Sequence, residues 1–165
     1  MRRKDREMPA AFAYTVVDKC EYAVLSMIDG DGYPYCVPIT IVRDDNLIYI
    51  HCAKAGQKIE ALKLNPNVCI SCVGDTYRLP NMFTTEYESA IVKGTAFEVT
   101  SDEEKIHALK LLCIRHTPTN MHEFDDAISK SLGRTAVWKI VIEEITGKRK
   151  KYDSDQKEMK FGRMK

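Results

Sequence analysis

The stretch from Tyr33 to Pro66, YPYCVPITIVRDDNLIYIHCAKAGQKIEALKLNP, constrains the fold more than any other part of the chain. Residues 35–42 are rich in β-branched and aromatic types, which suit a pleated surface, and residues 47–51 (Leu-Ile-Tyr-Ile-His) repeat that pattern. Asp44-Asp45-Asn46 between them is turn chemistry, because short polar side chains bond the nearby backbone and tolerate left-handed angles. The pair reads as two strands joined by a tight turn. Ala55-Gly56-Gln57-Lys58 then opens IEALKLN, in which Ile59 and Leu62 recur at helical spacing, and Asn65-Pro66 stops the helix. The first amides of a helix have no partner within it, and the helix dipole is positive there. A glycine lets an anion approach those amides and Lys58 adds a full charge, so residues 56–58 can seat a phosphate. The plainer reading of the same four residues is a solvated helix start.

The rest of the chain supplies more strands than helices. Residues 8–19 read as a helix with Ala13, Val16 and Val17 on its buried side. Glu21–Ile28 reads as a strand, and Asp29-Gly30-Asp31-Gly32 turns it into the next as a hairpin. Val68–Val73 is another strand, with Gly74-Asp75 predicted to break it and residues 75–83 to form a loop. Glu86–Thr100 is a long strand, and Gly94 within it marks a bulge or bend. Ser101-Asp-Glu-Glu104 is a capping box before a helix on which Ile106, Leu109, Leu112, Cys113 and His116 share a side. Residues 121–130 form a short polar helix or loop, Thr135–Ile145 returns to strand, and residues 151–165 are a charged tail expected to fray. About six strands joined mostly by hairpins, with no recurring βαβ unit, predict a mainly β (α+β) fold: an antiparallel barrel with peripheral helices.

The 165 residues suffice for one domain with a real core. A net charge of +1 gives no general pull toward nucleic acid or membrane, and no apolar run approaches spanning length. The charged start, MRRKDREMPAAFAY, is not followed by a long apolar segment, so a cytoplasmic protein is expected. Six cysteines set mostly inside apolar patterns point to reduced, buried thiols. Cys69 and Cys72 have the gap of a metal or redox pair, but in a strand they face opposite ways, and no metal site is expected.

Taken together and in order, CEYAVLSM, GYPYCVPITIV, LIYIHCAKAGQKIEAL, NPNVCISCVGD, FTTEYESAIVKGTA and VWKIVIEEITGKR resemble the pyridoxamine 5'-phosphate oxidase-like, FMN-binding split-barrel superfamily, in particular its nitroimidazole-resistance (Nim-type) branch. The resemblance runs from about Cys20 to Arg149. It implies a single split-barrel domain over residues 1–150, a homodimer with FMN at the subunit interface, and a small-molecule, nitroaromatic substrate. Carried over by position, Cys36, Val37, Pro38 and Ile39 lie along the flavin ring. His51, Cys52 and Ala53 line the ribityl and phosphate path, and Gly56, Gln57 and Lys58 hold the phosphate. Ser89 approaches the cofactor from the partner chain, and Trp138 stands either near the ring or simply in the core. The chain departs from pyridoxamine phosphate oxidases proper in having no Arg or Lys in YCVPIT, which argues against that substrate.

His51 is the candidate catalytic residue. A histidine titrates near neutrality and can position or protonate a substrate, and the Nim-type branch places one at this motif beside the cofactor. His107, His116 and His122 do not have metal-ligand spacing and read as solvated or satisfied side chains. The alternative function is a non-catalytic flavin- or haem-binding barrel, with a histidine such as His51 on the iron.

Overall fold

The computed structural model describes residues 1–162. A two-residue strand β1 (Glu7–Met8) precedes helix α1 (Ala10–Lys19), and strands β2 (Ala23–Ile28) and β3 (Pro34–Ile39) form the expected hairpin. After Thr40-Ile41 come β4 (Val42–Asp44), β5 (Leu47–Ala53) and helix α2 (Gln57–Leu64). The long hairpin β6 (Asn67–Arg78) and β7 (Thr85–Glu98) leads to α3 (Asp102–His116), a 3₁₀ turn at Pro118–Glu123, α4 (Phe124–Ser131) and β8 (Thr135–Lys150).

The sheet runs β3-β2-β6-β7-β8-β5-β4, every neighbour antiparallel, with β1 added beside β8. Its two edge strands, β3 and β4, are consecutive in the chain and separated by two residues. The sheet therefore curls until its edges meet at that link, which makes a barrel with a seam rather than an open sheet. The single strand expected over residues 35–42 is in fact broken at this seam.

Alternation along the strands fills the interior with Leu25, Ile48, Ile50, Ile70, Val92, Trp138 and Ile140. Ala13, Val16 and Val17 of α1, and Ile59, Ala61 and Leu62 of α2, join the same core. A second core lies outside the barrel wall, where Ala108, Leu109 and Leu112 of α3 and Phe124 of α4 cover Val42, Tyr49 and Val137. Among the described residues the outer face of β2, β6 and β7 has no such cover: Val73 and Ile91 are exposed there, 53% and 37% respectively.

Gly94 earns its place by close approach. β7 shifts register at Lys93/Gly94, and a Cβ at residue 94 would run into the Val141 carbonyl oxygen of β8. β6 does not stop at Gly74-Asp75 as predicted; it shifts register between Val73 and Thr76 and continues to Arg78, because β7 alongside supplies its backbone partners. Ser101 caps α3 as expected, accepting from the Glu104 amide, but the Glu104 carboxylate does not reach back. It takes the Tyr49 hydroxyl at 3.1 Å and the Lys139 ammonium at 2.8 Å instead, pinning α3 to the barrel.

The charged tail was expected to fray. Its described part, residues 151–162, instead turns back on itself, with a bridge between Tyr152 and Glu158. It binds the N-terminal segment through Arg6–Glu158 (2.6 Å) and Lys160–Asp5 (2.8 Å). The last three positions of the tail lie outside the described residues.

Candidate functional site

The predicted phosphate seat is the start of α2. Gly56 stands at its N-cap with φ 121° and ψ 168°, a conformation that favours glycine, and no side chain caps the helix. The Ile59 and Glu60 amides bond the Gly56 carbonyl at 2.9 and 3.1 Å. The Gln57 and Lys58 amides, two residues earlier, have no position within the helix to bond. Lys58 is half-buried, and among the described residues no carboxylate lies within ion-pair distance of it. A charge that is half out of water without a counter-ion is a seat for an anion.

His51 and Cys52 stand on β5, just before this helix. The strand turns Ile48, Ile50 and Cys52 toward the barrel core, and His51 outward with Tyr49. Part of His51 meets solvent, yet burial holds its imidazole below the ordinary histidine value, and the charges of Lys58 and His116 push the same way. His116, at the end of α3, donates from Nε2 to the Ile41 carbonyl at the seam, 2.9 Å away. It was expected to be a satisfied side chain and it is one, but the fold also brings it toward His51, which sequence spacing could not foretell. Burial likewise pushes the Cys52 thiol up, so it is neutral near pH 7.

β3 supplies the third component. It pairs with β2 along one side only, so among the described residues the backbone groups of its other side are unpaired. Val37 and Ile39 turn into the core, while Cys36 and Pro38 face out. The Thr40-Ile41 link joins β3 to β4, whose Val42 lies opposite Tyr49 of β5, so the end of β3 at Ile39 comes beside His51 at one corner of the molecule, where the charge of Lys58 also acts on His51.

Two predicted residues do not join that corner. Ser89 sits on β7 between Val73 and Lys148, and β8 stands between its strand and β5. A single chain therefore keeps Ser89 apart from Lys58. Trp138 is 4% exposed and packs inside the barrel beside Ile50, because alternation sends Val137 and Lys139 outward instead. Its core reading is the one the structure supports. Its Nε1 has no hydrogen-bond partner among the described residues.

The other histidines are each satisfied singly: His107 by Asp44 at 2.9 Å, and His122 by the Thr119 carbonyl at 3.1 Å. No helix of the described residues is long and apolar enough to cross a membrane.

The family model described as pyridoxamine 5'-phosphate oxidase matches residues 10–149. The chain belongs to this family. Among solved structures it is similar to a candidate 5-nitroimidazole antibiotic resistance protein from Bacteroides thetaiotaomicron, with 25% identity, 87% of this chain and 86% of that one covered, and a TM-score of 0.75. It is also similar to an FAD-binding protein from Mesorhizobium loti (20% identity, 87% and 96% covered, TM-score 0.64). A flavocytochrome from Azotobacter vinelandii aligns as well (18% identity, 90% and 72% covered, TM-score 0.74). The last two likenesses concern the fold alone. No curated protein sequence matches the chain. Family and fold together make this pyridoxamine 5'-phosphate oxidase-like chain an α+β split barrel.

Proposed function

We propose that the chain is an FMN-dependent oxidoreductase acting as a homodimer on a small, nitroaromatic substrate. The observation that carries this reading is the uncapped start of α2, with a half-buried Lys58 lacking a carboxylate, set beside a strand whose backbone is unpaired on one side. That donor set suits a planar heterocycle bearing a phosphate: two free amides and an ammonium for the phosphate, strand backbone for the polar edge of the ring. Family membership supports the flavin, and the likeness to a candidate nitroimidazole-resistance protein supports the substrate class.

In this reading Gly56, Gln57 and Lys58 hold the phosphate, and the backbone of Cys36–Ile39 orients the ring. His51 is neutral near pH 7, so a ring nitrogen can accept a proton or present one to a substrate. FMN, when bound, supplies the two-electron chemistry. Ser89 lies on a different wall, so it reaches the cofactor only from a second copy, whose uncovered β2-β6-β7 face would close over the corner.

The test is the visible spectrum of the purified protein, with its chromophore released and identified. The expected result is the spectrum of an oxidised flavin, release of FMN, bleaching by NAD(P)H and substrate-dependent return of colour. A colourless protein that takes up no FMN would overturn the proposal. Because similar folds include a flavocytochrome, haem is the second reading; a Soret band present in the wild type and absent in His51→Ala would select it.

A further inference from the structure

Ser89 does not stand alone on the uncovered face. Cross-strand register sets it opposite Val73 of β6 on one side and opposite Lys148 of β8 on the other. The row continues past β6. Ala23 lies opposite Cys72 and both turn into the core, so Tyr22 and Val73, the next pair along, turn outward. The outward row therefore reads Tyr22, Val73, Ser89, Lys148: an aromatic ring, an aliphatic side chain, a hydroxyl and an ammonium. Tyr22 is 60% exposed, an unusual place for a ring of that size on a sheet face.

The Tyr22 end of the row is hollow. Tyr22, Val24, Ser71 and Val73 line a cleft of about 480 Å³, which is the size of a small-molecule pocket. β6 shifts register at its edge, between Val73 and Thr76, an irregularity common beside binding sites. The charges along the row are sorted. Glu21 and Asp75 border the cleft, and Lys19, the cation there, is already shared between Asp75 at 2.7 Å and the buried Glu88. The hollow end therefore has no spare positive charge. At the other end the Lys148 ammonium lies 5.6 Å from the centre of the Tyr87 ring. Glu7, the neighbour of Lys148 on β1, is paired with Lys4 at 3.0 Å, and among the described residues no carboxylate comes within ion-pair distance of Lys148.

We infer that this row is the substrate wall over a second copy's flavin, and that it selects a single flat ring bearing one anionic substituent. The wall rests on the functional reading above, in which Ser89 reaches a flavin held by another copy. What Ser89 approaches, its row approaches too, because the sheet fixes the spacing: neighbouring strands stand about 4.8 Å apart, so Tyr22 to Lys148 spans about 14 Å. A one-ring substrate fits within that span, its ring on Val73 and against Tyr22, with the flavin on its other face. Glu21 and Asp75 repel an anionic group from the hollow end, and Lys148 attracts it to the opposite one. The substrate is thereby held in one orientation along the row.

The test uses the FMN-loaded protein, titrated with 4-nitrobenzoate and with nitrobenzene while the visible absorption of the flavin is followed. Both probes should shift the flavin band, and the wild type should bind 4-nitrobenzoate about tenfold more tightly than nitrobenzene. Lys148→Met should abolish that preference and leave nitrobenzene unchanged. Tyr22→Ala should weaken both probes by about tenfold, whereas Tyr22→Phe, which keeps the ring, should bind them as the wild type does. FMN affinity should stay within about twofold in all three, because neither residue belongs to the phosphate seat. FMN held normally while binding of both probes is indifferent to Tyr22 and Lys148, or a flavin band that neither probe perturbs, would overturn the inference and leave the flavin reading standing. A protein that takes up no FMN would bring down both.

Discussion

Lys58 and His51 carry different kinds of consequence although they stand together. Lys58 should matter to a ligand in proportion to that ligand's charge. In Lys58→Ala, FMN affinity should fall by about 10- to 100-fold, the range of a lost charge-assisted hydrogen bond, while riboflavin, which has no phosphate, should change little. Parallel fluorescence titrations with both ligands check this; equal losses would remove Lys58 from the phosphate seat. His51 should matter to acid stability. Its pKa in the fold lies below the ordinary value of 6.5, so protonation favours the unfolded chain. The wild type should lose stability as pH falls through the ordinary histidine value and level off below the folded one. His51→Gln should lack that decline, which urea unfolding at about pH 8 and about pH 5 will show. Trp138 marks what the sequence leaves open at this scale. An aromatic on the last strand is legible, but which way it faces depends on the strand's register within a closed barrel, and that is a property of its neighbours.

At the scale of elements, the local signals were legible wherever local chemistry decides. Gly56 and Asn65-Pro66 bound α2, Asp29–Gly32 makes the β2–β3 turn, and Gly94 sits at a bulge. The failures share one cause. β6 runs on through Gly74, β8 runs five residues past Ile145, and Glu104 abandons its capping box, each because a distant element offers a better partner: β7 for the strands, Lys139 and Tyr49 for the carboxylate. The break at Thr40-Ile41 is likewise invisible locally, since those residues are as β-prone as their neighbours, and it follows from closing the sheet. Two predictions belong here. Gly94→Ala should destabilise by about 2 kcal/mol or more, because a β-carbon meets backbone that cannot rotate away. A fall in the urea midpoint with unchanged slope would show it, and a neutral result would mean that the bulge can relax. Ser101→Ala should cost about 1 kcal/mol by the same measurement, through loss of the α3 cap.

Across the whole molecule, the two chain ends are joined. Arg149 lies between the rings of Phe12 (5.7 Å) and Phe161 (5.2 Å), and the Phe161 amide bonds the Asp5 carbonyl at 2.9 Å. Arg6 first, and then Lys160, pull the Glu158 carboxyl down to about 2. A depressed carboxylate contributes stability above its ordinary pKa and loses it as pH falls toward the folded value. Glu158→Gln should therefore cost about 1 kcal/mol at neutral pH, a modest figure because the pair is partly screened, and the difference from wild type should close between about pH 4.5 and about pH 2. Thermal unfolding of both proteins across that range will check it. The joined ends leave the β2-β6-β7 face free, and the proposed dimer uses that face to bring Ser89 to another copy's α2. The crystal structure of the protein grown with FMN tests this most directly. The account predicts two chains, with the phosphate within hydrogen-bond distance of the Gln57 and Lys58 amides of one and Ser89 of the other near the flavin. A phosphate bound anywhere else, or a flavin held within one chain away from α2, would contradict it.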